Sequence, residues 1–158
     1  MNSTFQTKGA GNDVLVVYGL LVEMADRVSQ RRQASNNFYL SVNTALTGAS
    51  AYLLGLGPSW QGSSVLGLAG LAICRLWIRN IHSYRSLNAA KFAVIADLEK
   101  SLEQRPFTEE WVRLSAPDPT RRYTPFYKVE TAIPWIFAAV YVAQFLMVVP
   151  WRRLVGIG

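Results

Sequence analysis

Charge disappears from three stretches of the chain and returns between them. Residues 38–57, FYLSVNTALTGASAYLLGLG, hold no Asp, Glu, Lys or Arg and are long enough to cross roughly 30 Å of hydrocarbon. Pro58, Ser59 and Gly62 make a short turn that forces an antiparallel neighbour. Residues 63–79, SSVLGLAGLAICRLWIR, form the second expected crossing, with Arg75 placed to snorkel from its inner end. The third, 131–150, is the most apolar, and a kink at its Pro134 is tolerable where neighbouring helices surround it.

The remaining segments are polar or mixed. Residues 1–12, with Gly9 and Gly11, read as a mobile tail. VLVVYGLLV (14–22) is too short to span and lacks the basic start of a signal peptide, so 13–35 reads as a cytoplasmic or interfacial helix. The helical pattern of the second crossing runs on without proline or glycine to about residue 104, which predicts one helix from 63 to 104. Proline clusters follow. Thr108 is placed to cap a short helix with Glu109 and Glu110 in its first turn, and Thr124–Pro125 to open the last one. The pattern therefore predicts an all-α integral membrane protein with three transmembrane helices, the second extended into a cytoplasmic helical domain at 81–130. Residues 36–80 form the transmembrane hairpin and 151–158 an outer tail.

Charge orients this arrangement. The net charge is +6, yet residues 57–62 contain no Lys or Arg and the last eight residues only Arg152 and Arg153. The other basic residues lie in 1–35 and 75–130, which the positive-inside rule assigns to the cytoplasm, with the C-terminus outside. Trp60 and Trp151 fall at the expected outer surface, and Trp77 and Trp135 at the inner one. The 51% hydrophobic content and mean hydropathy of +0.15 fit a membrane part joined to a polar part. One cysteine, Cys74, and one histidine, His82, argue against a disulfide framework or a protein-only metal site, and no cofactor is expected.

Two stripes carry candidate function. Ser29, Gln33, Asn36, Asn43, Thr47 and Ser50 recur at alternating three and four residues, interrupted only by Leu40, and share a helix face. They either hydrogen-bond to other helices within a packed bundle or line a central opening, with Asn36, Asn43, Thr47 and Ser50 as pore-lining candidates. Ser41, Ala45 and Ala49 permit close helix contact. Three short crossings bury little alone, so assembly of several copies is expected.

The second stripe holds the interface candidates Arg75, Arg79 and His82, with Arg85, Asn88 and Glu130 as further ones. Arg75 and His82 match the loose Arg-x(4–6)-His pattern of some dimeric ribonucleases. Arg75 would lie at the bilayer boundary, ~10 Å along the helix from His82 and badly placed for an RNA backbone, so snorkelling cations are the simpler account. Arg85 is expected to meet Glu130, Glu23 or Asp26. Lys91, Asp97, Glu99 and Lys100 read as a solvated face.

The segments DRVSQRRQASNNFYLSVNTAL (26–46), LWIRNIHSYRSLNAAKFAVIADLEKSL (76–102), PFTEEW (106–111) and YKVETAIP (127–134) resemble the RipA-like octameric membrane proteins of bacteria. That resemblance implies eight copies in the inner membrane, a cytoplasmic domain, and a link to envelope integrity and growth under stress. More loosely, the layout is similar to the pore-forming membrane accessory of RNA-targeting CRISPR systems.

The expectation is a non-enzymatic homo-oligomeric ring with a central pore or vestibule. Its partners would be copies of itself, membrane lipids and a cytoplasmic protein, with no nucleic acid. The alternatives are a scaffold recruiting envelope-maintenance proteins, a triggered effector that depolarises the membrane in phage defence, and, last, an RNA-cleaving enzyme.

Overall fold

The computed structural model describes residues 3–57, 60–115 and 126–149. Among them the chain is helical throughout: α1 is Ser3–Leu56, α2 Trp60–Glu99, α3 Pro106–Ser115 and α4 Phe126–Val148. The all-α expectation holds, but three boundaries differ.

Residues 3–12 are helical, and α1 joins them to the expected interfacial helix and first crossing without a break. No proline occurs before Pro58, and each glycine in a helix costs only about 1 kcal/mol, so nothing local stops the helix. It ends where Gly57 takes a φ of 132°, open to glycine and strained for other residues. Next, α2 ends at Glu99 instead of continuing to 104. Its last carbonyls are taken up by a tightened turn, with Ser101 N donating to Leu98 O (3.0 Å) and Leu102 N to Glu99 O (3.1 Å). Finally, α3 starts at Pro106, suited to a first helical position, where its missing N–H is no loss. The expected Thr124–Pro125 start of the last helix and the tail at 151–158 lie outside the described residues.

Two helices, α2 and α4, contain stretches long and apolar enough to cross a membrane. The expected first crossing in α1 does not meet that measure, because its Asn, Thr, Ser and Gly residues dilute its apolar content.

The chain divides into two compact units. Unit 1 comprises Met1–Arg32 and Ser83–Thr124, and unit 2 comprises Gln33–His82 and Pro125–Gly158. Unit 1 buries Ala25, Val28, Ile95 and Glu99, with Phe107 set among the rings of Tyr18 and Phe92. Unit 2 buries Cys74, Trp77, Ile81, Pro134 and Tyr141 together with Asn43 and Ser50. Here Trp77 stacks on Tyr39 with centroids 5.8 Å apart and tilts against Phe137. Gly70 lies against Tyr141, and a Cβ there would overlap the phenol ring. In this close approach the absence of a side chain lets α2 and α4 meet.

Candidate functional site

The polar stripe on α1 is turned into unit 2. Asn36 Oδ1 accepts from Trp77 Nε1 (2.9 Å), and Asn80 Nδ2 donates to Ser35 Oγ. Asn43 has no exposed surface. Its Nδ2 donates back to the Tyr39 carbonyl (2.8 Å), while its side-chain oxygen receives Cys74 Sγ and Tyr141 Oη at 3.3 and 3.2 Å. The Tyr141 hydroxyl also reaches the Asn43 carbonyl (3.2 Å) and accepts from Thr47 Oγ1 (3.3 Å). One turn on, Ser50 Oγ donates to Gln144 Oε1 (3.0 Å). Three helices are thus joined by neutral hydrogen bonds at a depth where an unsatisfied amide would cost several kcal/mol.

The pore-lining candidates Asn36, Asn43, Thr47 and Ser50 each bond to a residue of another helix in the same chain. Asn43 and Ser50 are buried within the chain, whereas Asn36 and Thr47 are half-buried. The alternative, hydrogen bonding between helices, describes these residues. The face of α1 that is exposed instead carries Asn37, Ser41, Thr44 and Gly48. Trp77 also departs from expectation: it is 2% exposed, a buried hydrogen-bond donor rather than an interfacial anchor. Trp60 and Trp135 are exposed as expected, and Trp151 lies outside the described residues.

The second polar centre was taken from sequence for a solvated face. Glu99, at the C-terminal end of α2, is fully buried. Its Oε1 accepts from the Phe107 backbone N–H (2.9 Å) and the Tyr18 hydroxyl (3.0 Å). Oε2 accepts from the Thr108 N–H (2.9 Å) and its hydroxyl (2.6 Å). With Glu109 N donating to Arg105 O, Phe107 and Thr108 are the second and third residues of α3, whose N–H groups lack helical partners. Glu99 therefore caps α3, and Thr108 serves as one of its donors rather than as the expected cap.

Burial pushes the Glu99 carboxyl up, but the bonds from Thr108, Phe107 and Tyr18 outweigh it and hold the group below its ordinary value. The Tyr18 hydroxyl is pushed up to about 12 by burial, by its bond to Glu99 and by that carboxylate's charge.

Arg75, Arg79, His82 and Arg85 are exposed on α2, and Asn88 and Glu130 are half-buried. The side-chain oxygen of Asn88 is enclosed without a hydrogen-bond partner. Of the acids considered for Arg85, Glu23 bonds Arg27 (2.7 Å) and Asp26 bonds Gln30 (2.8 Å). Arg75 and His82 stand on the same helix about two turns, ~10 Å, apart. Among the described residues, no group of three His, Cys, Asp or Glu side chains could hold a metal ion.

Signals for the missed residues were present. Glu99 is an acid in the last turn of a helix, where the dipole opposes it, followed by a Pro-initiated helix that lacks a nearby acceptor. Tyr141 and Gln144 are polar groups three residues apart in an otherwise apolar span.

The described residues are helical apart from short turns, and two of the helices are long and apolar enough to cross a membrane. Residues 15–150 match the octameric membrane protein family (8xMP), and the chain belongs to that family. Self-association follows from that membership. No curated protein and no solved structure matches the chain.

Proposed function

We propose that the protein is a non-enzymatic homo-oligomeric ring of the bacterial inner membrane that acts as a scaffold for envelope integrity. The supporting observation is the polar seam. Each copy satisfies Asn43, Tyr141, Ser50 and Gln144 internally, which leaves largely apolar outer faces along the spans for lipid and for other copies. Its non-membrane unit then offers α3, which has no buried residue and carries Trp111 at 67% exposure, to a cytoplasmic partner.

A conducting ring is the second reading, favoured by the exposed Asn37, Ser41 and Thr44 on α1. Ion flux through purified oligomer in liposomes separates the two. The scaffold reading expects no flux from intact oligomer and an envelope-stress phenotype on gene deletion. Flux suppressed by Ser41→Leu/Thr44→Leu, with the oligomer intact, would overturn it in favour of a pore.

A further inference from the structure

Arg75, Arg79 and His82 occupy one face of α2, all exposed, and make no hydrogen bond or ion pair among the described residues. The protein supplies little countercharge for them. In the whole of unit 2 the only acidic residue is Glu130, against Arg75, Arg79, Lys128, Arg152 and Arg153, and Glu130 is already engaged. Beyond His82 the next acid on α2 is Asp97, some 22 Å further along the helix and bonded to Lys100. On α1 the acids nearest to unit 2, Glu23 and Asp26, bond within their own helix. A second copy brings the same excess of arginine, so ring closure alone does not neutralise this face.

The position of the face indicates what does. Arg75 follows directly on the apolar run 63–74, and Ala72 and Leu68, one and two turns before it on the same face, are exposed, so this side of α2 meets hydrocarbon below Arg75. The headgroup layer beyond is about 5–7 Å deep, and one helical turn, ~5.4 Å, carries the face from Arg75 to Arg79 across it. Two guanidinium forks at that depth match the oxygens of a phosphodiester, and His82 adds a ring N–H donor at the outer edge.

We propose that Arg75, Arg79 and His82 form a binding site for the phosphate of an anionic lipid headgroup. The site rests on the reading that residues 63–79 cross the membrane.

The test uses intact wild-type oligomer and R75Q/R79Q in nanodiscs of phosphatidylcholine with a minority of phosphatidylglycerol, counting the lipid that stays with the protein on release into mild detergent. Wild type should enrich phosphatidylglycerol at least about five-fold over the disc composition, the scale of one arginine near an anionic surface. R75Q/R79Q should fall to the disc composition, and R75K/R79K, which keeps the charge and loses the forks, should fall between the two. No enrichment by wild type, or equal enrichment by R75Q/R79Q, overturns the site.

Where R75Q/R79Q does not assemble, wild type alone decides. Its enrichment should vanish at about 1 M salt, where screening acts within ~3 Å, and persistence there overturns the proposal. Binding of inorganic phosphate or a short RNA to wild type in phosphatidylcholine-only discs would move the ligand to a soluble phosphate and overturn the lipid assignment. Entry into the discs reports the crossing separately. Failure to enter overturns the membrane reading, whereas entry without phosphatidylglycerol overturns only the site.

Discussion

Unit 2 buries neutral polar groups that answer one another along three helices, while unit 1 buries a carboxylate held by the start of a short helix. In unit 2, Asn43 is matched by Tyr141, Cys74 and its own helix backbone, and no charge enters the seam. In unit 1, Glu99 collects four donors, two of them backbone N–H groups of α3. The difference reflects what each surrounding can supply. Between apolar helices an ion would be costly and backbone donors are all used, so amides, hydroxyls and a thiol serve. A helix start has spare N–H groups and a favourable dipole, so a carboxylate is the stronger link there.

Breaking the charged centre should have the largest effect. Glu99→Ala leaves the Tyr18 hydroxyl and two α3 N–H groups without their acceptor, a loss of about 3 kcal/mol. Cleavage by trypsin after Arg113 should then speed up about a hundred-fold. An unchanged rate would mean that α3 does not depend on its cap.

In the neutral centre, Gly70→Ala forces a methyl group into the Tyr141 ring and should cost about 2 kcal/mol by overpacking, visible as a lower melting temperature of the detergent-solubilised oligomer. Asn43→Leu removes the seam's shared acceptor and should cost about 1.5 kcal/mol in the same melt. A normal melt with altered ion flux would instead return Asn43 to a channel.

Tyr18→Phe should have the smallest effect, about 1 kcal/mol, and pH sharpens the contrast. The folded value of Glu99 is depressed, so its contribution is complete above the ordinary carboxylate value of about 4.3 and fades as pH falls through the folded value. The folded value of Tyr18 is raised, so its contribution is complete below pH 10 and is lost as pH rises through about 12. The protease resistance of α3 should follow both limits in wild type. In Tyr18→Phe the alkaline limit set by this hydroxyl should be absent.

Much of this was legible in the chain. Uncharged runs at 63–74 and 131–150 marked α2 and α4, and the three-and-four spacing of Asn36, Asn43, Thr47 and Ser50 showed correctly that they share a face. Which way the face turned was not legible, since a stripe that hydrogen-bonds to a neighbouring helix and one that borders water have the same periodicity. Glu99 was hidden for a related reason. Its neighbours Asp97 and Lys100 do form an exposed pair (2.7 Å), and local pattern assigned Glu99 to their company.

Local properties, namely helix content, apolar span length and the place where Gly57 ends α1, were determined by the sequence itself, because they depend on residues a few positions apart. Pairings across long separations were decided only by tertiary structure: Tyr141 with Asn43, and Tyr18 with Glu99. Each polar group there could have met water, another subunit or its own chain with similar local geometry. Packing chose among them by removing water from Asn43 and Glu99, after which only a nearby donor or acceptor could replace it.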